Sequence, residues 1–141
     1  MILKDTNAEI TVRSAQKGGG ESVMMERCTL YERNGKIYLF YDERPIDDLP
    51  GTSVKVRVDS DRVIVTRTGE VDARLEYAKG CATATNYKVP YGMIHVDIFT
   101  NDLKIERREQ FLSVEIDFYI DIGMEKSENI LKITVKEDTA Q

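Results

Sequence analysis

Arg67 is the residue of this sequence whose charge and position most suggest binding chemistry. It ends the alternating run Val63, Val65, Arg67, so the guanidinium faces the core if the two valines do. Tyr77 and Tyr87 occupy predicted inward positions on later strands and carry hydroxyl groups. A buried guanidinium needs hydrogen bonds or an anionic partner. These three residues therefore form a candidate site for the polar head of a small anionic or amphipathic ligand.

Two alternatives to this site follow from the same residues. Arg67 can face solvent instead, or a carboxylate or carbonyl groups can satisfy its charge inside the protein. Ligand binding also requires unfilled volume beside Arg67. Small side chains favour such a volume, and the candidates are Ala73, Ala82, Ala84 and Thr85.

His95 and Asp97 are a second pair with acid–base character. They lie two residues apart in a predicted strand, so they share a face and can touch. That face also carries Met93 and Phe99 and is opposite the predicted core, which favours a solvated surface pair over a catalytic one. The sequence contains no nucleophile elbow and no Walker loop. We therefore predict no enzyme activity.

The sequence predicts neither a metal site nor a cofactor. Cys28 and Cys81 are far apart and are expected to stay free and reduced. A single histidine cannot complete a zinc site with them. The glycines of Gly18–Gly20 precede a predicted strand instead of a helix, so they indicate a loop and not a phosphate site.

Composition limits the other classes of function. A chain of 141 residues with 41% hydrophobic residues predicts a single soluble domain over residues 1–141. The formal charge is −5, and residues 89–141 hold 6 basic and 11 acidic side chains (6 − 11 = −5), which argues against a nucleic-acid partner. No long apolar run and no signal peptide is visible, so we expect a cytoplasmic protein without membrane contact.

Predicted β-strands position these residues, and turn residues in the sequence indicate where many of the strands begin and end. Gly80–Thr100 is predicted as two strands that reverse at Pro90-Tyr91-Gly92. Asn34-Gly35 predicts a type I′ hairpin turn. Asp42–Gly51 is predicted as a loop. A short strand, Leu103–Arg108, is predicted after an Asn101-Asp102 turn.

Phe111–Ile122 is the longest predicted strand. Its even-numbered positions from Leu112 to Ile122 are all apolar, and its odd-numbered positions are mostly polar. With roughly ten short strands and tight turns, the chain predicts an all-β fold, and closure removes exposed edges. We therefore predict a closed antiparallel up-and-down β-barrel.

Several motifs also resemble the YwiB-like family of uncharacterised bacterial proteins. The resemblance implies a calycin-like, lipocalin-like barrel and no particular reaction, and it spans nearly the whole chain. The motifs are TRTG at Thr66–Gly69, Gly80, NYKVPYG at Asn86–Gly92, GKIYLFYDE at Gly35–Glu43 and NILKITV at Asn129–Val135.

Two main hypotheses for function remain from these observations, and an enzyme is a distant third that would require clustered, buried titratable groups in a cleft. In the first, the barrel binds a small apolar or amphipathic molecule in its interior. In the second, the protein is a non-catalytic interaction or assembly module that uses an outer sheet face with Phe99, Phe111 and Tyr119. The second hypothesis includes a homodimer.

Overall fold

The computed structural model describes residues 6–43, 51–123 and 125–138, and every regular element in these ranges is a β-strand. The strands follow the alternation of apolar and polar residues and end where turn residues interrupt it. In chain order they are β1 Thr6–Gln16, β2 Glu21–Arg33, β3 Lys36–Glu43, β4 Thr52–Val58, β5 Arg62–Gly69, β6 Ala73–Ala78, β7 Ala82–Val89, β8 Gly92–Arg108, β9 Phe111–Asp121 and β10 Lys126–Glu137.

The ten strands form one antiparallel sheet with simple connections. Strands that are consecutive in the chain pair with each other, except that β6 does not form a ladder with β7. In addition, β1 pairs with β10, with Ile10 opposite Val135. The two outermost strands of the sheet are therefore β6 and β7, which are consecutive in the chain. The sheet curls until these two strands meet. The predicted all-β, antiparallel up-and-down barrel is confirmed, and the barrel is nearly closed.

Turn chemistry accounts for the hairpins at both ends of the barrel. Asn34 and Gly35 have φ angles of 53° and 78°, the positive values that a type I′ turn requires. β7 and β8 reverse at Pro90-Tyr91, with Val89 opposite Gly92. The β1–β2, β5–β6, β7–β8 and β9–β10 turns lie at one end of the barrel, which we call the mouth.

The barrel has a seam between β6 and β7. Toward the mouth, Asp72 and Lys88 exchange two backbone hydrogen bonds of 2.9 and 2.8 Å. At the other end, the amide of Gly80 bonds to the carbonyl of Thr100 at 2.8 Å. Between these points, the described residues of β6 and β7 are joined by a side-chain hydrogen bond, in which the Thr83 hydroxyl donates to the Glu76 carbonyl at 2.8 Å. The seam therefore lacks the backbone ladder that joins the other strands.

We expect the backbone amides that point into this seam to exchange with solvent about a hundredfold faster than those of adjacent ladders. Because N–H groups alternate in direction along a strand, those of Arg74 and Glu76 follow the direction of Asp72 into the seam. Hydrogen exchange followed by NMR measures the difference. The amides of Ala73 and Leu75, which point to β5, are the internal control, and equal protection of both sets would contradict a seam.

The core is formed by the inward faces of the strands. On β9, Leu112, Val114 and Ile116 are fully buried and Phe118 is nearly so. Val135, Ile98, Leu39, Val56 and Val63 pack around them from other strands. The predicted apolar face of β9 is correct as far as Ile120. Ile122 is 50% exposed because it lies beyond the end of the strand at the open mouth.

One predicted strand boundary is wrong, and one predicted loop lies mostly outside the described residues. The predicted turn at Asn101-Asp102 and separate strand at Leu103–Arg108 are wrong, because β8 runs unbroken from Gly92 to Arg108. A β-bulge between Thr100 and Asp102 absorbs the extra polar residue without ending the ladder with β9. Of the predicted loop Asp42–Gly51, residues 44–50 lie outside the described residues, and β3 extends to Glu43.

Candidate functional site

Arg67 lies on the inner face of β5, close to the mouth. The alternation places it on the same side as Val63 and Val65, which are both buried. Its neighbours across the sheet are Val54 on β4 and Ala73 on β6. The Arg67 side chain is 27% exposed, and only Gly69, the last residue of β5, follows it on the inner face. The guanidinium thus lies on the inner side of the barrel wall, close enough to the mouth for solvent to reach it.

The Arg67 guanidinium has a partner on each side. Toward β3, its Nη1 donates to Oε1 of Glu43 and forms an ion pair with that carboxylate. Toward β7, it interacts with the hydroxyl of Tyr87. The intervening residue on β6 is Ala73, whose small side chain leaves room for this reach. Arg67 therefore links β3, β5 and β7, and internal satisfaction by a carboxylate, one of the alternatives above, is part of the structure.

Tyrosine side chains surround this guanidinium. Burial raises the pKa of Tyr77 strongly, since its side chain is almost wholly enclosed. Burial also raises the pKa of Tyr87 and of Tyr41, and the positive charge of Arg67 opposes both increases. The Tyr77 ring packs edge-on against Phe118 with centroids 5.0 Å apart. At neutral pH these hydroxyl groups are therefore protonated and can donate hydrogen bonds.

A cavity of about 470 Å³ lies at the mouth beside these residues. Arg67, Tyr77 and Tyr87 all line it, so the structure brings the three predicted site residues together. The remaining wall is apolar on one side and polar near the turns. Its apolar residues are Leu75, Phe118, Ile120, Ile130 and Leu131, and its polar side chains include Ser14, Gln16, Glu21, Ser22 and Asn129.

The small residues predicted to leave this volume contribute unequally. Ala73 is buried and inward, and Thr85 is half-buried. Ala82 and Ala84 are exposed, so their assignment to the cavity is wrong. They alternate with the inward positions of β7, which are odd-numbered and include Tyr87.

The other titratable groups form no site within the described residues. His95 is 62% exposed on the outer face, with Nε2 at 3.2 Å from Asp97 and Nδ1 at 3.0 Å from Asn86. This is the surface pair that the sequence predicts. Both cysteines are free: Cys81 is exposed, while burial raises the pKa of Cys28 to about 11. The described residues contain no cluster of side chains suited to a metal ion.

Comparison with known proteins places the chain in a family. Residues 9–134 match DUF1934, a domain of unknown function. The chain belongs to this family. The match covers nearly all of the sequence from β1 to β10. This match and the likeness to a solved ywiB structure confirm the resemblance to YwiB-like proteins that the motifs indicate.

A solved relative shows that the DUF1934 chain shares a known fold. This chain is similar to the crystal structure of the ywiB protein from Bacillus subtilis, with 24% identity and a TM-score of 0.83. The match covers 97% of this chain and 96% of the other. No curated protein matches the sequence. In addition, no helix among the described residues of the DUF1934 chain has the length and hydrophobicity to span a membrane.

Sequence reasoning missed Glu43 as part of the site. Glu43 ends β3, and β4 separates it from Arg67 in the sheet. Its position next to the guanidinium follows from the register that sets Tyr41 opposite Val54 and Val54 opposite Arg67. An inward arginine at a strand end does signal a nearby carboxylate, because such a charge needs a partner. The sequence offers many carboxylates and does not select this one.

Proposed function

We propose that the chain is a non-catalytic binding protein for a small amphipathic molecule, held in the cavity at the mouth of the barrel. The polar head of the ligand contacts Arg67 and the hydroxyls of Tyr77 and Tyr87. Its apolar part lies against Leu75, Phe118 and the neighbouring aliphatic side chains. Two free cysteines agree with a reducing compartment, and we propose the cytoplasm as the site of action.

The observation that carries this proposal is a guanidinium on the wall of a cavity at the barrel mouth that is apolar on one side. The volume of about 470 Å³ lies within the range of roughly 300–1,000 Å³ that is usual for small-molecule sites. A few polar groups on an apolar wall orient an amphipathic ligand, since they bind one of its ends only. Small barrels of this kind accommodate one small ligand.

Arg67→Met is expected to weaken binding of octanoic acid by about ten- to a hundredfold, because a charge-assisted hydrogen bond is lost. Binding of octan-1-ol, which has the same chain and no charge, is expected to change by less than about threefold. Chemical-shift titration of labelled protein gives both dissociation constants. Native mass spectrometry of protein purified without denaturation reports whether a molecule co-purifies.

Arg74→Met is the matched control for charge. Arg74 lies on β6 with its side chain 62% exposed on the outer face, so its loss should leave both dissociation constants unchanged. If neither probe shifts the resonances of Leu75, Tyr77 or Phe118 in the unmodified protein, and nothing co-purifies, the proposed function is wrong.

The second candidate function is an interaction module on the outer face. It is favoured by Phe99, which is 43% exposed and lies opposite Tyr119 on β9 and Ala82 on β7. Met93 is also exposed on the same face of β8, while Phe111 is only half-exposed. Sedimentation equilibrium distinguishes the two functions: a dimer that Phe99→Ser dissociates supports the module, and a monomer removes the homodimer form of this candidate.

A further inference from the structure

The ion pair between Arg67 and Glu43 places a carboxylate where the proposed ligand has its head. The side chains of Arg67 and Glu43 are 27% and 32% exposed, so water reaches both at the mouth. The pair is partly buried, and ion pairs that water reaches contribute little net stability, because hydration compensates for their separation. Glu43 can therefore leave the guanidinium and be hydrated without disturbing the core beneath it.

We infer that Glu43 is an internal competitor that occupies Arg67 in the empty protein, and that the ligand is a monocarboxylate which replaces it. This inference rests on the proposed function and specifies the ligand class. When the ligand binds, its carboxylate takes the guanidinium N–H groups, and the Glu43 carboxylate turns to solvent. No covalent bond changes.

The chemistry around Arg67 favours a singly charged head. A carboxylate matches the planar fork of a guanidinium. When a ligand carboxylate replaces that of Glu43, one negative charge still pairs with Arg67. Glu43 remains close after it leaves, and Glu21 also lines the cavity, although it is paired with Arg13 at 2.7 Å. A doubly charged phosphate head would meet stronger repulsion from these acidic groups. Tyr87 adds a neutral hydroxyl beside the guanidinium, which can donate to the second carboxylate oxygen.

Competition makes a specific prediction for Glu43→Gln. The amide is uncharged and binds the guanidinium less strongly, so octanoic acid is expected to bind about three- to tenfold more tightly. The affinity for octan-1-ol should not change, since the alcohol does not need to displace a carboxylate. In Arg67→Met protein, adding Glu43→Gln should have no further effect on octanoic acid. The three variants and the unmodified protein complete a double-mutant cycle.

Asp42→Asn is the control for a general effect of charge. Asp42 precedes Glu43 on β3, faces the opposite side and accepts a hydrogen bond from Ser53 at 2.9 Å. Its replacement removes the same charge and should leave octanoic acid binding unchanged. The inference is overturned if Glu43→Gln weakens octanoic acid binding or leaves it unaltered while both probes still bind, and the proposed function then survives. If no protein binds either probe, both are overturned. If only Glu43→Gln protein binds octanoic acid, the competitor role is supported.

Discussion

Shortening Ile116 to alanine is expected to lower the free energy of unfolding by about 2–5 kcal/mol. Ile116 is fully buried near the middle of β9, and its cross-strand neighbours are Leu103 on β8 and Leu131 on β10. Strand pairing on both sides at this position prevents β8 and β10 from collapsing into the space, so the cavity term adds to the lost burial. The midpoint of urea unfolding measures the change, with an unaltered slope as the sign of a two-state comparison.

Ser113→Ala is the control on the same strand. Ser113 lies on the outer face of β9, three positions from Ile116, and its replacement should change stability by no more than about 0.5 kcal/mol. Loss of similar stability in both variants would contradict an inward face formed by the even-numbered residues. This result would also remove the basis for placing Arg67 and the cavity inside the barrel.

Alkaline pH is expected to destabilise the protein steeply, beginning at about pH 9. The buried thiol of Cys28 has its pKa raised from 9.0 to about 11, and burial also raises the pKa values of Tyr41, Tyr77 and Tyr87 above 10.0. Each group ionises first in the unfolded chain. Its contribution is therefore complete below the unfolded pKa and is lost as the pH rises toward the folded pKa. Each fully buried group adds about 1.4 kcal/mol of loss per pH unit in its own window.

Variants separate the two windows. Cys28→Ala should flatten the pH dependence between about pH 9 and 10, where only the thiol contributes. Tyr77→Phe should reduce the slope above about pH 10 and leave the lower window unchanged. Urea midpoints measured at intervals of pH give both slopes. Stability that is constant or rising up to about pH 11 would show that these side chains are not buried in solution.

The sequence by itself determined most of the strands and the alternation of their faces, and it left an inward Arg67 as one of two open possibilities. Alternation has a period of two, so a run such as Val63, Val65 and Arg67 assigns every side chain to one face once a single core residue is known. Turn residues such as Asn34-Gly35 mark where the chain reverses, because their backbone angles suit few other structures. These are local properties, and local residues suffice to specify them.

Only the tertiary structure decided which residues meet inside the barrel. Glu43 contacts Arg67 because two successive strand registers bring the end of β3 to the inner face of β5. The β6–β7 seam and the cavity exist only after ten strands have curled into a ring, when the ends of the sheet approach each other. Likewise, the bulge in β8 follows from pairing with β9, and the same Asn101-Asp102 pair alone suggests a turn. Contacts between distant strands depend on the registers of all the strands between them, and no short segment of the sequence specifies these registers together.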